Sequence, residues 1–301
     1  MRIGSSIVLI IGIIAVSAAS ILIRNAQTET PSLAIAAYRL AIASLVVVPV
    51  ALWRNQNELH RLRAREWILM IIAGVFLALH FATWVTSLEY TSVTSSVVLV
   101  TTSPLWVAVA SWIFLREKLT RPIIFGLIVA VVGGFIIGLG DTTQGSSSAP
   151  LLGDSLALLG AFMVTGYWLI GRRIRSSQSL TPYVAIVYGT AAVVLLMMVG
   201  AAHQSLAGYD PVVYLWLVLL ALVPQLIGHS SFNWALARLP VVSVAVATLG
   251  EPIGASILAY FLLGEAPTML TMLGAVLVLT GIALTLRAQP NAEPARNQLA
   301  S

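Results

Sequence analysis

Ser103–Gly133 reads SPLWVAVASWIFLREKLTRPIIFGLIVAVVG, and Glu251–Gly281 reads EPIGASILAYFLLGEAPTMLTMLGAVLVLTG. The two stretches share a register. Pro104, Leu115, Glu117, Gly126 and Gly133 fall 148 positions before Pro252, Leu263, Glu265, Gly274 and Gly281. The same shift sets Leu88 on Leu236, Ser95 on Ser243 and Arg24 on Arg172. Each stretch is two apolar runs parted by a short charged or turn-forming break. A helix of about 20 apolar residues crosses the hydrocarbon of a bilayer, so the repeated unit is a pair of membrane spans.

The composition extends this to the whole chain. Of 301 residues, 59% are hydrophobic and 9% charged, where a soluble globular chain carries about 25% charged residues. Soluble enzymes, nucleic-acid-binding domains and disordered scaffolds are excluded on that ground. The absence of cysteine removes disulfides, thiolate metal sites and a cysteine nucleophile. The apolar runs are continuous and lack the alternation of an outer-membrane strand. The predicted fold class is an all-α polytopic membrane protein.

Ten spans are predicted, at about 4–24, 33–53, 67–87, 92–115, 122–140, 151–171, 182–202, 212–236, 240–263 and 268–287. Of the 16 basic residues, fourteen fall on alternate, same-side connections or on the termini: Arg2, Arg54, Arg61, Arg63, Arg65, Arg116, Lys118, Arg121, Arg172, Arg173, Arg175, Arg238, Arg287 and Arg296. Only Arg24 and Arg39 do not. The positive-inside rule then places both termini in the cytoplasm, and an odd number of spans would scramble the alternation. A cleavable signal peptide ending near Val16-Ser17-Ala18 is the competing reading of span 1, but the apolar run continues to Ile23. Residues 289–301 read as a disordered cytoplasmic tail. Five spans per repeat is an odd number, so the second repeat (141–288) inserts upside down relative to the first (1–140). Transporters recurrently use such inverted repeats, with the substrate bound between halves near the midplane.

The motif Leu99-x4-Pro104-Leu105-x9-Leu115-x-Glu117-x-Leu119-Thr120, with Gly126, Gly133 and Gly134, resembles the signature of the EamA family of the drug/metabolite transporter superfamily. So does its second copy, Gly250-Glu251-Pro252-x10-Leu263-Gly264-Glu265, with Gly274 and Gly281. The Tyr38-Arg39-Leu40 element is similar to that family's arginine position. The resemblance implies ten helices in two inverted five-helix repeats, and export of small metabolites or amino acids across a bacterial inner membrane.

Charged residues within spans are costly and mark candidate functional sites. Glu251 lies about 16 Å into span 9 and Arg39 about 9 Å into span 2, at 1.5 Å per residue. Glu251 reads either as a proton-coupling or substrate-amine site, or as a carboxyl hydrogen-bonded at the helix break of Pro252. Arg39 either holds a substrate carboxylate, pairs with Glu251, or snorkels outwards. Span 3 presents His80, Thr83, Trp84 and Ser87 at helical spacing, and span 8 presents Gln225, His229, Phe232 and Asn233. These faces either line a cavity or bind neighbouring helices. Ser95, Thr102, Trp106 and Trp168 are further cavity candidates, and Pro104 and Pro252 are candidate hinges. The glycines of spans 5 and 10 read as packing surfaces, and Glu117 and Glu265 as ties between loops or helix ends.

The expected function is therefore a secondary transporter, an exporter of a small organic metabolite working by alternating access. The expected partners are a small-molecule substrate and the lipid bilayer, with protons as a coupling ion or, in the alternative, no coupling ion and facilitated transport, and with no nucleic acid, metal or cofactor. A lipid-linked-carrier flippase or a structural subunit is the alternative. An intramembrane hydrolase built on Ser256 and His229 is disfavoured, since Gly254-Ala255-Ser256 is too short for a nucleophile elbow. No phosphate-binding Gly-x-x-x-x-Gly-Lys loop occurs. Neither the cargo nor the oligomeric state is legible in the sequence.

Overall fold

The computed structural model describes residues 2–91, 96, 99–100, 102–140, 149–263 and 268–288. All regular structure among the described residues is helical. Eight helices are long and apolar enough to span a bilayer: Gly4–Ala26, Ser32–Arg54, Ala64–Tyr90, Pro150–Arg175, Leu180–Ala201, Pro211–Leu236, Val241–Leu258 and Met269–Arg287. The shorter apolar helices Ser103–Leu115 and Arg121–Ile137 stand where spans 4 and 5 are expected. Ser95, Glu265 and the tail 289–301 lie outside the described residues.

Local chemistry sets the helix ends. Pro150 and Pro211 open spans 6 and 8 at the first helical position, where the missing N–H has no intrahelical role. Arg63 N donates to Glu66 Oε2 at 2.9 Å and starts span 3, and Thr268 Oγ1 accepts from Thr271 N at 3.1 Å to start span 10. Span 4 stops at Arg116, whose φ of 55° is left-handed. The ring of large apolar side chains facing outward, among them Trp112, Phe114, Phe125, Leu139 and Phe261, is what lipid contact requires of a surface poor in charge.

Spans 1, 4 and 9 are not the continuous helices expected. Span 1 divides at Ala18 into Arg2–Ser17 and Ala19–Ala26, and its Leu9, Val16 and Ile23 are buried in the core. Span 9 divides at Leu249–Gly250, and a new helix starts at Glu251. Pro252 is its second residue, as Pro104 is of the helix beginning at Ser103. Both prolines thus follow a break rather than interrupt a helix, which removes the clash with a preceding turn.

The contacts reproduce the internal repeat. A Cβ on Gly126 would lie 2.8 Å from Gly281 O, and one on Gly133 would lie 2.7 Å from Gly274 O. Spans 5 and 10 therefore run antiparallel with backbones touching, which only glycine permits at these positions. The 148-residue shift exchanges the two contacts. It also carries the contact of Gly160 with Thr83 and Trp84 (spans 6 and 3) onto that of Gly12 with Ser231 and Phe232 (spans 1 and 8).

Candidate functional site

Arg39 is 2% exposed, so it does not snorkel to a surface. Its Nε donates to Gln225 Oε1 at 2.8 Å, and its guanidinium carbon sits 4.1 Å from the centre of the Phe81 ring. Nη1 has no partner. The expected direct pair with Glu251 does not form within 4 Å, although the two charges interact over a longer range. Gln225 reaches Arg39 from a wide π turn, Ala221–His229, that contains Pro224. Proline cannot complete the regular hydrogen-bond ladder, and such widened turns gather at functional positions.

The widened turn also distributes the expected face of span 8. His229 lies parallel to Trp168, with ring centres 6.2 Å apart at 5°, and meets Phe81 edge-on at 5.3 Å. Asn233 turns instead to span 6, where Tyr167 Oη donates to Asn233 Oδ1 at 2.8 Å. Asn233 Nδ2 donates to Tyr188 Oη at 3.2 Å, and Tyr188 Oη lies 3.2 Å from Ser230 Oγ.

On span 3, most polar atoms of the expected face are occupied by helix contacts. His80 Nδ1 lies 2.9 Å from Gly160 O. Thr83 Oγ1 donates to Leu79 O at 2.7 Å, and Ser87 Oγ donates to Trp84 O at 2.7 Å while lying 2.6 Å from Ser96 Oγ. Trp84 differs: it is half-buried, and its Nε1 has no partner. Its ring lies parallel to His80 at 6.0 Å and 11°. Two histidine–tryptophan stacks, one from each half, thus flank Phe81 and the guanidinium above it. Trp106 Nε1 donates to Thr102 Oγ1 at 3.0 Å, and the Trp106 ring packs on Phe162 at 4.5 Å.

Glu251 is the first residue of the second helix of span 9 and is half-buried. Its main-chain oxygen accepts from the Ser17 hydroxyl at 3.2 Å, which fastens the break in span 9 to the break in span 1. Its carboxylate has no hydrogen bond among the described residues. No group of His, Asp or Glu among the described residues is placed to hold a metal ion.

Sequence reasoning missed Phe81, Tyr167, Tyr188 and Ser230. A signal for three of these was present. Under the 148-residue shift, Tyr167, Tyr188, Gln225, Ser230 and Asn233 correspond to Ala19, Leu40, Leu77, Ala82 and Val85, all buried and apolar. Polar residues against apolar equivalents locate the network, whereas the matching positions of the repeat locate only the scaffold.

A model of the EamA-like transporter family matches residues 4–139 and 151–287. An uncharacterized transporter of Archaeoglobus fulgidus is 25% identical over 88% of this chain and 91% of its own length. A probable terminal-alkyne amino-acid exporter of Streptantibioticus cattleyicolor is 28% identical over 62% of this chain and 61% of that protein. A probable amino-acid metabolite efflux pump of Salmonella typhimurium is 26% identical over 58% of this chain and 60% of that protein. A crystal structure with 16% identity superposes at a TM-score of 0.78, covering 94% of this chain and 97% of that one, which establishes the shared fold.

Proposed function

The chain belongs to the EamA-like transporter family, and on that premise we propose that it is a secondary exporter of a small organic metabolite such as an amino acid. It is a multi-pass membrane transporter and not an enzyme. In this reading the two halves, 1–140 and 141–288, are inverted repeats that rock against each other, exposing the space between them to one face and then the other. The basic loops face the cytoplasm of a bacterial cell, with both termini on that side of the inner membrane.

The observation that carries the proposal is Glu251, a carboxylate at the break of span 9 that has no hydrogen-bond partner among the described residues and lies within electrostatic reach of the buried Arg39. An ionisable group is kept within a span at a cost of about 2.5–3.5 kcal/mol on insertion scales. Like the network of Tyr167, Tyr188 and Asn233, this pair departs from the repeat. Glu251 corresponds to Ser103 and Arg39 to Val187. Glu251 takes a proton or a substrate ammonium, and the Trp84, Trp106, Trp168 and His229 rings form walls that suit a flat or cationic group. Relatives named as an amino-acid exporter and an amino-acid efflux pump support the cargo class.

The test is flux in proteoliposomes holding the purified protein and radiolabelled amino acids, with an imposed pH gradient. Uphill movement of at least one amino acid against its gradient, dissipated by a protonophore, is the expected result. Binding of lipid-linked carriers with no movement of any water-soluble metabolite would overturn it.

A further inference from the structure

Three buried nitrogens around the Phe81 ring have no hydrogen-bond partner: Arg39 Nη1, His229 Nδ1 and Trp84 Nε1. The Arg39 guanidinium carbon lies 4.1 Å from the centre of that ring, the His229 ring 5.3 Å and the Trp84 ring 6.5 Å. Neighbouring polar groups do not relieve the shortage. His80 Nδ1 lies on Gly160 O and Thr83 Oγ1 on Leu79 O, so each is taken up by a main-chain oxygen. Among the described residues no carboxylate comes within 4 Å of the guanidinium. An unpaired buried donor is costly, and a buried cation without a counter-charge more so.

The missing group is an acceptor that carries negative charge. Guanidinium and indole nitrogens only donate, and a neutral histidine donates through Nδ1 when that atom holds the ring proton. Water accepts, but it brings donors of its own and leaves the charge of Arg39 uncompensated. A carboxylate has about four acceptor sites, no donor and one negative charge, and the arginine fork matches its shape. Gln225 Oε1 holds Arg39 Nε at 2.8 Å, which fixes the direction in which the remaining nitrogens point. Gln225 and His229 both lie on the wide turn Ala221–His229, so one irregular segment supplies the holder of Arg39 and a second donor.

The set does not belong to the shared scaffold. Under the 148-residue shift Arg39, His229 and Trp84 correspond to Val187, Phe81 and Phe232, none of which has a polar side chain. Arg39 and Trp84 come from the first half and His229 from the second. A ligand held by all three joins the halves, as cargo does in a transporter that works by alternating access. We infer that Arg39, His229 and Trp84 are the subsite that takes the carboxylate of the exported metabolite, which makes the cargo an acid or a zwitterion rather than an amine, a sugar or a neutral nucleobase. The inference rests on the exporter reading above and narrows its cargo.

Purified protein in detergent is melted with each common L-amino acid, its methyl ester, the amine left by its decarboxylation, and sodium chloride at equal ionic strength. At least one free amino acid is expected to raise the melting temperature, with its ester, its amine and chloride without effect. Trp84→Phe keeps an aromatic ring and deletes an N–H that has no partner in the fold. It is expected to raise the half-saturating concentration of the acid about tenfold, the loss of one hydrogen bond to a charged group. Arg39→Lys keeps the charge without the fork and is expected to weaken the acid further. A merely loosened fold would lower the unliganded melting temperature without changing the response to the acid. An ester, an amine or chloride that stabilises as well as the acid overturns the subsite. So does the absence of stabilisation by any amino acid, or a Trp84→Phe response identical to the parent's. The same amino acids are followed in proteoliposomes. Movement that the methyl ester inhibits as strongly as the acid overturns the subsite and leaves the exporter reading standing. No movement of any amino acid overturns the exporter reading, whichever way the melting experiment falls.

Discussion

Arg39 Nε and Gln225 Oε1 stand 2.8 Å apart, so the guanidinium within span 2 is held by a residue from the other half of the chain. Removing that acceptor leaves a buried charge short of a partner, which costs more than the bond itself contributes. Gln225→Leu is expected to lower the melting temperature in detergent and to abolish flux. Gln225→Glu, which supplies a counter-charge to Arg39, is expected to preserve folding and still impair transport. Near-native transport in Gln225→Leu would show that the contact between halves is dispensable.

The close approach of spans 5 and 10 makes a second, independent prediction. A methyl group on Gly133 would lie 2.7 Å from Gly274 O and 2.7 Å from Val278 N, whereas one on Gly200 would meet nothing within 4 Å. Overpacking of this kind typically costs about 1–3 kcal/mol. Gly133→Ala is thus expected to lower thermal stability measurably, and Gly200→Ala to leave it unchanged or slightly raised. Equal melting temperatures for the two variants would remove the backbone-contact account of the glycine spacing.

These glycines also mark what the sequence makes legible. Matching residues at a fixed shift locate helices and the contacts between equivalent helices, because both follow from a pattern shared by the halves. The pattern is silent where the halves differ. The π turn at Ala221–His229 has no counterpart in the regular helix of span 3. A helical wheel therefore draws Gln225, His229 and Asn233 as one face. In the fold they go to span 2, to Trp168 with Phe81, and to Tyr167 with Tyr188. The breaks at Ala18 and Leu249–Gly250 were hidden for a related reason: hydropathy measures apolarity, which a turn of Ala, Leu or Gly does not interrupt.

The Asn233 network is open to a double-mutant test. Asn233→Leu leaves the Tyr167 hydroxyl buried without its acceptor, a loss of about 1–3 kcal/mol for an unsatisfied group. Tyr167→Phe removes that hydroxyl and should return part of the lost stability when combined with Asn233→Leu. The check is the thermal midpoint of the two single variants and the double variant. Simple additivity of the two losses would mean that the residues do not act as a unit.

Glu251 supplies the prediction closest to mechanism. Glutamine keeps the size of the side chain but cannot exchange a proton. If Glu251 carries the coupling proton, Glu251→Gln should bring proton-driven uptake into inverted vesicles to background. Exchange of labelled for unlabelled substrate should continue, because exchange needs the path to open and close but no net movement of protons. The main-chain bond from Ser17 to Glu251 O does not involve the side chain, so the junction of spans 1 and 9 should remain intact and the melting temperature should stay near that of the parent. A variant that loses uptake and exchange together, with unchanged stability, would make Glu251 a substrate contact. Undiminished proton-driven uptake would remove it from the coupling step.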